Sequence, residues 1–237
     1  GVVKLNFTIE KDGALSNIKT DRKLGFGIDE EAIRVLKLTK KWHPAMQNGK
    51  AVKVEKVTKN TWRVYNAKAN AVKINYRVYA FEVSVRTAFI DASHAFLSSA
   101  NIFMYPAGMI KTPSTVKIVP FTGWDKVSTG LEPVAGQKFT YYASDFDILF
   151  DSPIEVGNQD VFEFTASGVK HEVAMFGGGN YDKEKLKVDM ARVVENATAI
   201  YGENPNKHYT FIVHNFTQGG GGLEHLNSTV LGASRNG

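Results

Sequence analysis

Residues 182–216 read DKEKLKVDMARVVENATAIYGENPNKHYTFIVHNF. Leu186, Met190, Val193, Val194, Ala197 and Ile200 recur near a 3.6-residue period, which predicts a helix over 182–201. Asp182 is placed to cap its free amides, and Gly202 with Pro205 to end it. Residues 208–216 then read as a strand, as do 162–165 and 172–176 before the helix. Upstream the pattern is different. Val72, Ile74, Tyr76 and Val78 alternate with Lys73, Asn75, Arg77 and Tyr79, and Phe81, Val83 and Val85 continue the alternation. Short β runs follow at 102–105, 116–120 and 139–143, broken by Gly, Pro and Ser. A strand-only region followed by mixed strand and helix predicts an α+β chain. Its middle is expected to be a mainly antiparallel β-sandwich, with a change of domain near 150–160.

The first quarter reads as a small β-β-α-β module. Val3, Leu5, Phe7 and Ile9 alternate with polar residues, and Asp12-Gly13 marks a hairpin turn into a return strand over 15–18. Asp29 is a candidate helix cap, with Glu30 and Glu31 at the positive end of the helix dipole. Ala32, Val35, Leu36 and Leu38 supply the apolar face, and Lys40 and Lys41 fall near the negative end. Trp42-His43-Pro44 stops the helix, because the residue before a proline avoids the helical conformation. Asn48-Gly49 is a second turn, leading into a third strand from Ala51 to Val54.

Composition narrows the chemistry. The 237 residues are 43% hydrophobic and 22% charged, with no cysteine. That excludes a disulfide framework, a thiolate metal site and a cysteine nucleophile. No apolar run approaches the ~18 residues of a membrane span. The net charge of +5 sits entirely in the first quarter. No aromatic-plus-basic motif accompanies it, so nucleic acid is not an expected partner and the lysines read as a solvated face.

Few motifs carry chemistry. Gly219 to Thr229 reads GGGGLEHLNST. Glycine lets a ligand approach the main chain closely, and Glu224 directly after the run can present a carboxylate to an ammonium group. A flexible loop is the competing reading. His171-Glu172 begins the zinc-helix pattern HExxH, but Met175 stands where the second histidine is needed, and the segment reads as a strand. His208, His214 and His225 with Glu224 do not form an ordinary metal-ligand pattern. There is no nucleophile elbow, and Gly219–Gly222 lacks the Lys-Ser/Thr of a phosphate loop.

Two resemblances go further. The strand ending in Asp12-Gly13, the run Gly27-Ile28-Asp29-Glu30-Glu31-Ala32, and Trp42-His43-Pro44-Ala45 with Asn48-Gly49-Lys50 resemble the C-terminal domain of TonB, the energy transducer of the Gram-negative envelope, over about residues 1–54. That resemblance implies capture of an outer-membrane receptor segment as an added strand, in the bacterial periplasm or cell envelope. The family's membrane anchor and proline-rich spacer are not in this chain.

Residues 55–237 resemble the N-terminal portion of the glycyl aminopeptidase family of zinc metallopeptidases, relatives of the thermolysin-like aminopeptidases. The resemblance rests on 57–62 (VTKNTW), 76–80 (YRVYA), 84–87 (SVRT), 91–95 (DASHA), Gly123-Trp124, 151–157 (DSPIEVG) and 221–229 (GGLEHLNST). It implies three segments: 1–54, TonB-like; 55–155, a β-sandwich; and 156–237, the start of the catalytic domain. It also implies that peptides with a free N-terminus bind here. Glu224 would meet the α-amine, with Gly221 and Gly222 along the peptide backbone. His225 stands where better-known relatives carry Asn, and Glu155 is a candidate second carboxylate. Zinc belongs to the complete family enzyme, and none is expected for this chain alone, since the HExxH helix lies beyond it. The alternative function is an envelope peptide-binding module using the TonB-like segment. A third is a β-sandwich adaptor without a ligand.

Overall fold

The computed structural model describes residues 3–39, 41–47, 50–65, 71–217 and 220–236. Lys40, the Asn48-Gly49 turn and Gly219 lie outside them. The chain divides into two compact units, Gly1–Arg77 and Val78–Gly237.

In the first unit, β1 (Leu5–Ile9) and β2 (Leu15–Thr20) form the expected hairpin. The turn needs its glycine: Gly13 has φ 82°, and a Cβ there would lie 2.2 Å from the Trp42 carbonyl oxygen. Helix α1 (Ile28–Leu38) follows. Asp29 does not cap it. Its carboxylate accepts instead from the amides of Leu24 (2.8 Å) and Gly25 (2.9 Å) in the preceding loop, and Gly27 occupies the cap position. Trp42 then packs edge-on against Phe7. A second hairpin joins β3 (Ala45–Gln47) to β4 (Lys50–Val52), and β5 (Val54–Lys56) and β6 (Trp62–Val64) complete a sheet of order β2-β1-β5-β6.

The alternation read over 72–86, a stretch that runs across the unit boundary, is not realised as a strand. Lys73 and Phe81 each lie in a single bridge, the latter to Phe89, and Tyr79 and Phe81 stay exposed. Alternation yields a strand only where a neighbouring strand completes the hydrogen-bond ladder. Next come β7 (Phe89–Ile90), β8 (Ala95–Leu97) and the short helix α2 (Ser99–Ile102); the strand expected over 102–105 does not form, since α2 ends at Ile102 and 103–105 lie in no helix or strand. They are followed by β9 (Ser114–Lys117), β10 (Lys126–Thr129), β11 (Glu132–Pro133), β12 (Thr140–Ala143), α3 (Phe146–Phe150) and β13 (Ile154–Gly157). Two small antiparallel sheets result, β10-β13-β8-β7 and β11-β12-β9. Ala95, Val116, Ala143, Leu149, Ile154 and Val156 form the core they share with α3.

A five-stranded sheet completes the second unit. It contains β14 (Asp160–Ala166), β15 (Val169–Phe176), β16 (His208–Phe216), β17 (Gly222–Glu224) and β18 (Ser228–Ser234), in the order β14-β15-β16-β18-β17. Helix α4 (Lys183–Tyr201) connects the parallel pair β15 and β16. Asp182 caps it by accepting from the amides of Glu184 and Lys185, and Gly202 ends it at φ 88°, as expected. Asp160 anchors the start of α4 by accepting from Tyr181 Oη (2.7 Å) and Lys183 Nζ (2.8 Å). The Lys183 ammonium holds that carboxyl below its usual range. Leu186 and Met190 pack on Phe162, Val173, Met175 and Val213, on one face of the sheet. The opposite face carries Ile212 and Val230 against Phe96 and Val85. The overall class is α+β, as the sequence predicts.

Candidate functional site

Three residues, Gly222, Leu223 and Glu224, form β17 at the edge of the five-stranded sheet. The only strand paired with it among the described residues is β18, through Gly222↔Leu231, Leu223↔Val230 and Glu224↔Thr229. Among the described residues its outer edge is unpaired. Gly221 approaches it with φ 89°, a conformation glycine tolerates freely. Gly232 lies where a Cβ would sit 2.6 Å from the Gly220 carbonyl oxygen, so only a glycine lets the 220–222 backbone come this close. The Glu224 side chain is exposed.

The turn after Glu224 is tied down from a distance. The His225 amide bonds the Ser228 carbonyl at 2.9 Å. Asp151 then accepts from His225 Nδ1 (2.9 Å) and from the Leu226 amide (2.8 Å). Asn227 Nδ2 donates to the Gly130 carbonyl at 2.8 Å. His225 Nε2 is buried with no hydrogen-bond partner among the described residues. Nearby, Tyr209 donates to the Ser228 carbonyl at 2.8 Å. Its hydroxyl is pushed up to about 12, first by burial and then by the negative charges of Asp151 and Glu224. Asp151 and Glu224 thus both act electrostatically on Tyr209 beside the edge strand.

Glu155 does not join them. Register places Glu224 opposite Thr229, and Thr229 opposite Phe211, so Glu224 shares the sheet face of Phe211 and Val213. His214 lies on the other face with Ile212, and Glu155 is bound there. The Glu155 carboxylate is fully buried (0% exposed) and bonds His94 Nδ1 at 2.7 Å and His214 Nε2 at 2.9 Å. The carboxylate that the 151–157 stretch brings near Glu224 is Asp151, a residue sequence reasoning overlooked.

The other histidines are scattered. His171 is buried on Val169 and stacked on Phe164, and His208 faces Glu132 at 3.8 Å. Hence His208, His214 and His225 do not converge. The one group of three potential ligands among the described residues is His94, Glu155 and His214. Two of its members lie in the quoted stretches 91–95 and 151–157, but nothing in the sequence links them to His214.

Residues 40–158, half of the chain, match the family model for the Peptidase M61 N-terminal domain. The chain belongs to this family. Residues 1–64 match the model for the Gram-negative bacterial TonB protein C-terminal. Among solved structures, the Peptidase M61-type chain is similar to an aminopeptidase N family protein from Idiomarina loihiensis, with 31% identity and a TM-score of 0.75. The match covers 81% of this chain and 33% of that one, so this chain spans about a third of the length of its solved relative. No curated protein gives a significant match. No helix among the described residues is long and apolar enough to cross a membrane. The HExxH motif of the zinc aminopeptidases is not in this sequence, and the cluster at Glu155 draws its members from two strands and a loop rather than one helix. The residues present do not fit that family zinc site.

Proposed function

We propose that this chain is the amine-recognising part of an aminopeptidase-like protein of the bacterial envelope, with residues 156–237 beginning its catalytic domain. The observation that carries the reading is the exposed Gly-Gly-Leu-Glu edge strand, held in place by Asp151. A peptide lying along β17 gains main-chain hydrogen bonds from the unpaired edge. Its ammonium group meets Glu224, and the absence of side chains at Gly221 and Gly222 leaves room for its backbone. Asp151 is a positioning residue: it fixes the turn through His225 and Leu226 and adds negative potential.

The test is the affinity of a short glycyl peptide, with and without N-acetylation. A charge-assisted hydrogen bond contributes about 1.5–3 kcal/mol, so acetylation should weaken binding roughly 10- to 100-fold. Glu224→Gln should weaken the free peptide by the same factor and leave the acetylated one unchanged. Equal affinity for both peptides, or an unaffected Glu224→Gln protein, would remove the proposal.

A second reading rests on the match of residues 1–64 to the TonB C-terminal model. The four-stranded sheet of the first unit ends in β2 and β6, either of which can accept an extended segment from an outer-membrane receptor. Its test is binding of an extended receptor-type peptide that disappears when residues 1–77 are removed.

A further inference from the structure

The cluster at Glu155 is unused by this function and lies on the opposite face of the sheet. His94 precedes β8, Glu155 is on β13 and His214 is on β16. All three are buried, and their ligand-type atoms lie within 4.8 Å of one another. The rings are firmly held. His94 stacks on Phe176 with centroids 3.5 Å apart, and His214 meets Phe96, Phe176 and Phe216 edge-on. Both histidines line a cavity of about 180 Å³, together with Ser84, Asp91, Asn215 and Arg235.

Charge decides what such a cluster needs. A fully buried carboxylate is costly unless paired. Among the described residues, no lysine or arginine forms an ion pair with Glu155, and its contacts are the two imidazoles. Arg235 lines the same cavity but donates to the Asn215 carbonyl. Charge balance falls either to a proton held within the cluster or to a bound cation. Two imidazoles and one carboxylate form a donor set suited to zinc and similar divalent ions.

We propose that His94, Glu155 and His214 bind one divalent first-row transition ion, such as Zn²⁺, with the cavity side open to a water or small ligand as the fourth donor. This departs from the expectation that the chain alone holds no metal. Zn–N and Zn–O bonds of about 2.0–2.1 Å put tetrahedral neighbours roughly 3.4 Å apart, so the present contacts of 2.7 and 2.9 Å must lengthen by about half an ångström, within a cluster whose ligand atoms all lie within 4.8 Å. Binding requires rotation of the carboxylate toward one shared point. Each imidazole keeps its single proton but moves it to the other nitrogen, Nε2 in His94 and Nδ1 in His214, freeing the inward lone pair. The site ties β13 of one sheet to β16 of another and to the loop that leads into β8, which gives the ion a structural role. It is independent of the amine-binding reading.

The experiment uses the whole 237-residue chain, stripped with a chelator, loaded with ZnCl₂ or CoCl₂, desalted and assayed for metal. The proposal expects one ion per chain and a visible ligand-field band for the cobalt form. In long-range imidazole ¹⁵N spectra of the unaltered protein, His94 Nδ1 and His214 Nε2 should change on loading, while His171, His208 and His225 do not. Glu155→Gln should lower affinity at least about tenfold and His208→Gln should not. Should Glu155→Gln fail to fold, the spectra of the unaltered protein still decide. Less than one ion per chain, with His94 Nδ1 and His214 Nε2 unchanged on loading, would overturn the proposal. So would metal whose retention depends on His225 or His43.

Discussion

Asp151 accepts from both His225 and Leu226, so its removal frees the turn that follows Glu224. Asp151→Ala should cost about 1–2 kcal/mol of stability, a moderate figure because the carboxylate is partly exposed. It should also weaken glycyl-peptide binding without abolishing it. Denaturant titration and peptide titration on the same protein check both. His171 makes a different prediction. Burial lowers its pKa from the ordinary 6.5. The unfolded chain therefore takes up the proton first, and the stability tied to the neutral ring is complete above pH 6.5 and lost as pH falls through the lowered value. Denaturant midpoints measured downward from that pH should decline, and His171→Gln should flatten the decline. At this scale the sequence is half legible. Glu224 stands out because a glycine run precedes it. Asp151 does not, because its partners lie 74 and 75 residues away and only the folded register brings them together.

Helices and strands with complete local signals follow the sequence closely. The α4 boundaries match because the apolar period, the Asp182 cap and the Gly202 terminus agree. Residues 72–86 show the limit of such reading: their alternation is as regular as that of a true strand, yet a strand exists only with a partner, which alternation does not reveal. Asp29 shows it too, since its carboxylate satisfies amides behind the helix rather than within it. For β17 the decisive element is its neighbour. Gly232→Ala would drive a methyl group into the Gly220 carbonyl, 2.6 Å away. The start of β17 should separate from β18, with faster amide exchange at Gly232, whose amide bonds the Gly221 carbonyl. Glycyl-peptide affinity should fall in parallel, while the α4 face of the sheet keeps its protection.

The whole molecule is two compact units, and every residue of the amine site lies in Val78–Gly237. The basic excess belongs to the other unit, within the first 53 residues. An isolated 78–237 chain should therefore bind glycyl peptides as the full chain does, measured by calorimetry side by side. A large loss would assign part of the site to residues 1–77. Chain-level organisation was readable as a join between two families because each left its own motifs. The compact-unit division at Arg77 was not, since it depends on which strands pair rather than on composition. The central claim is that β17 is where a free amino terminus binds, and chemical-shift mapping of the labelled chain with a glycyl tripeptide tests it most directly. Shifts are expected at the amides of Gly222, Leu223 and Glu224 and at the Glu224 carboxylate, absent with the acetylated peptide. Shifts confined to β2 or β6, or none at β17, would contradict it.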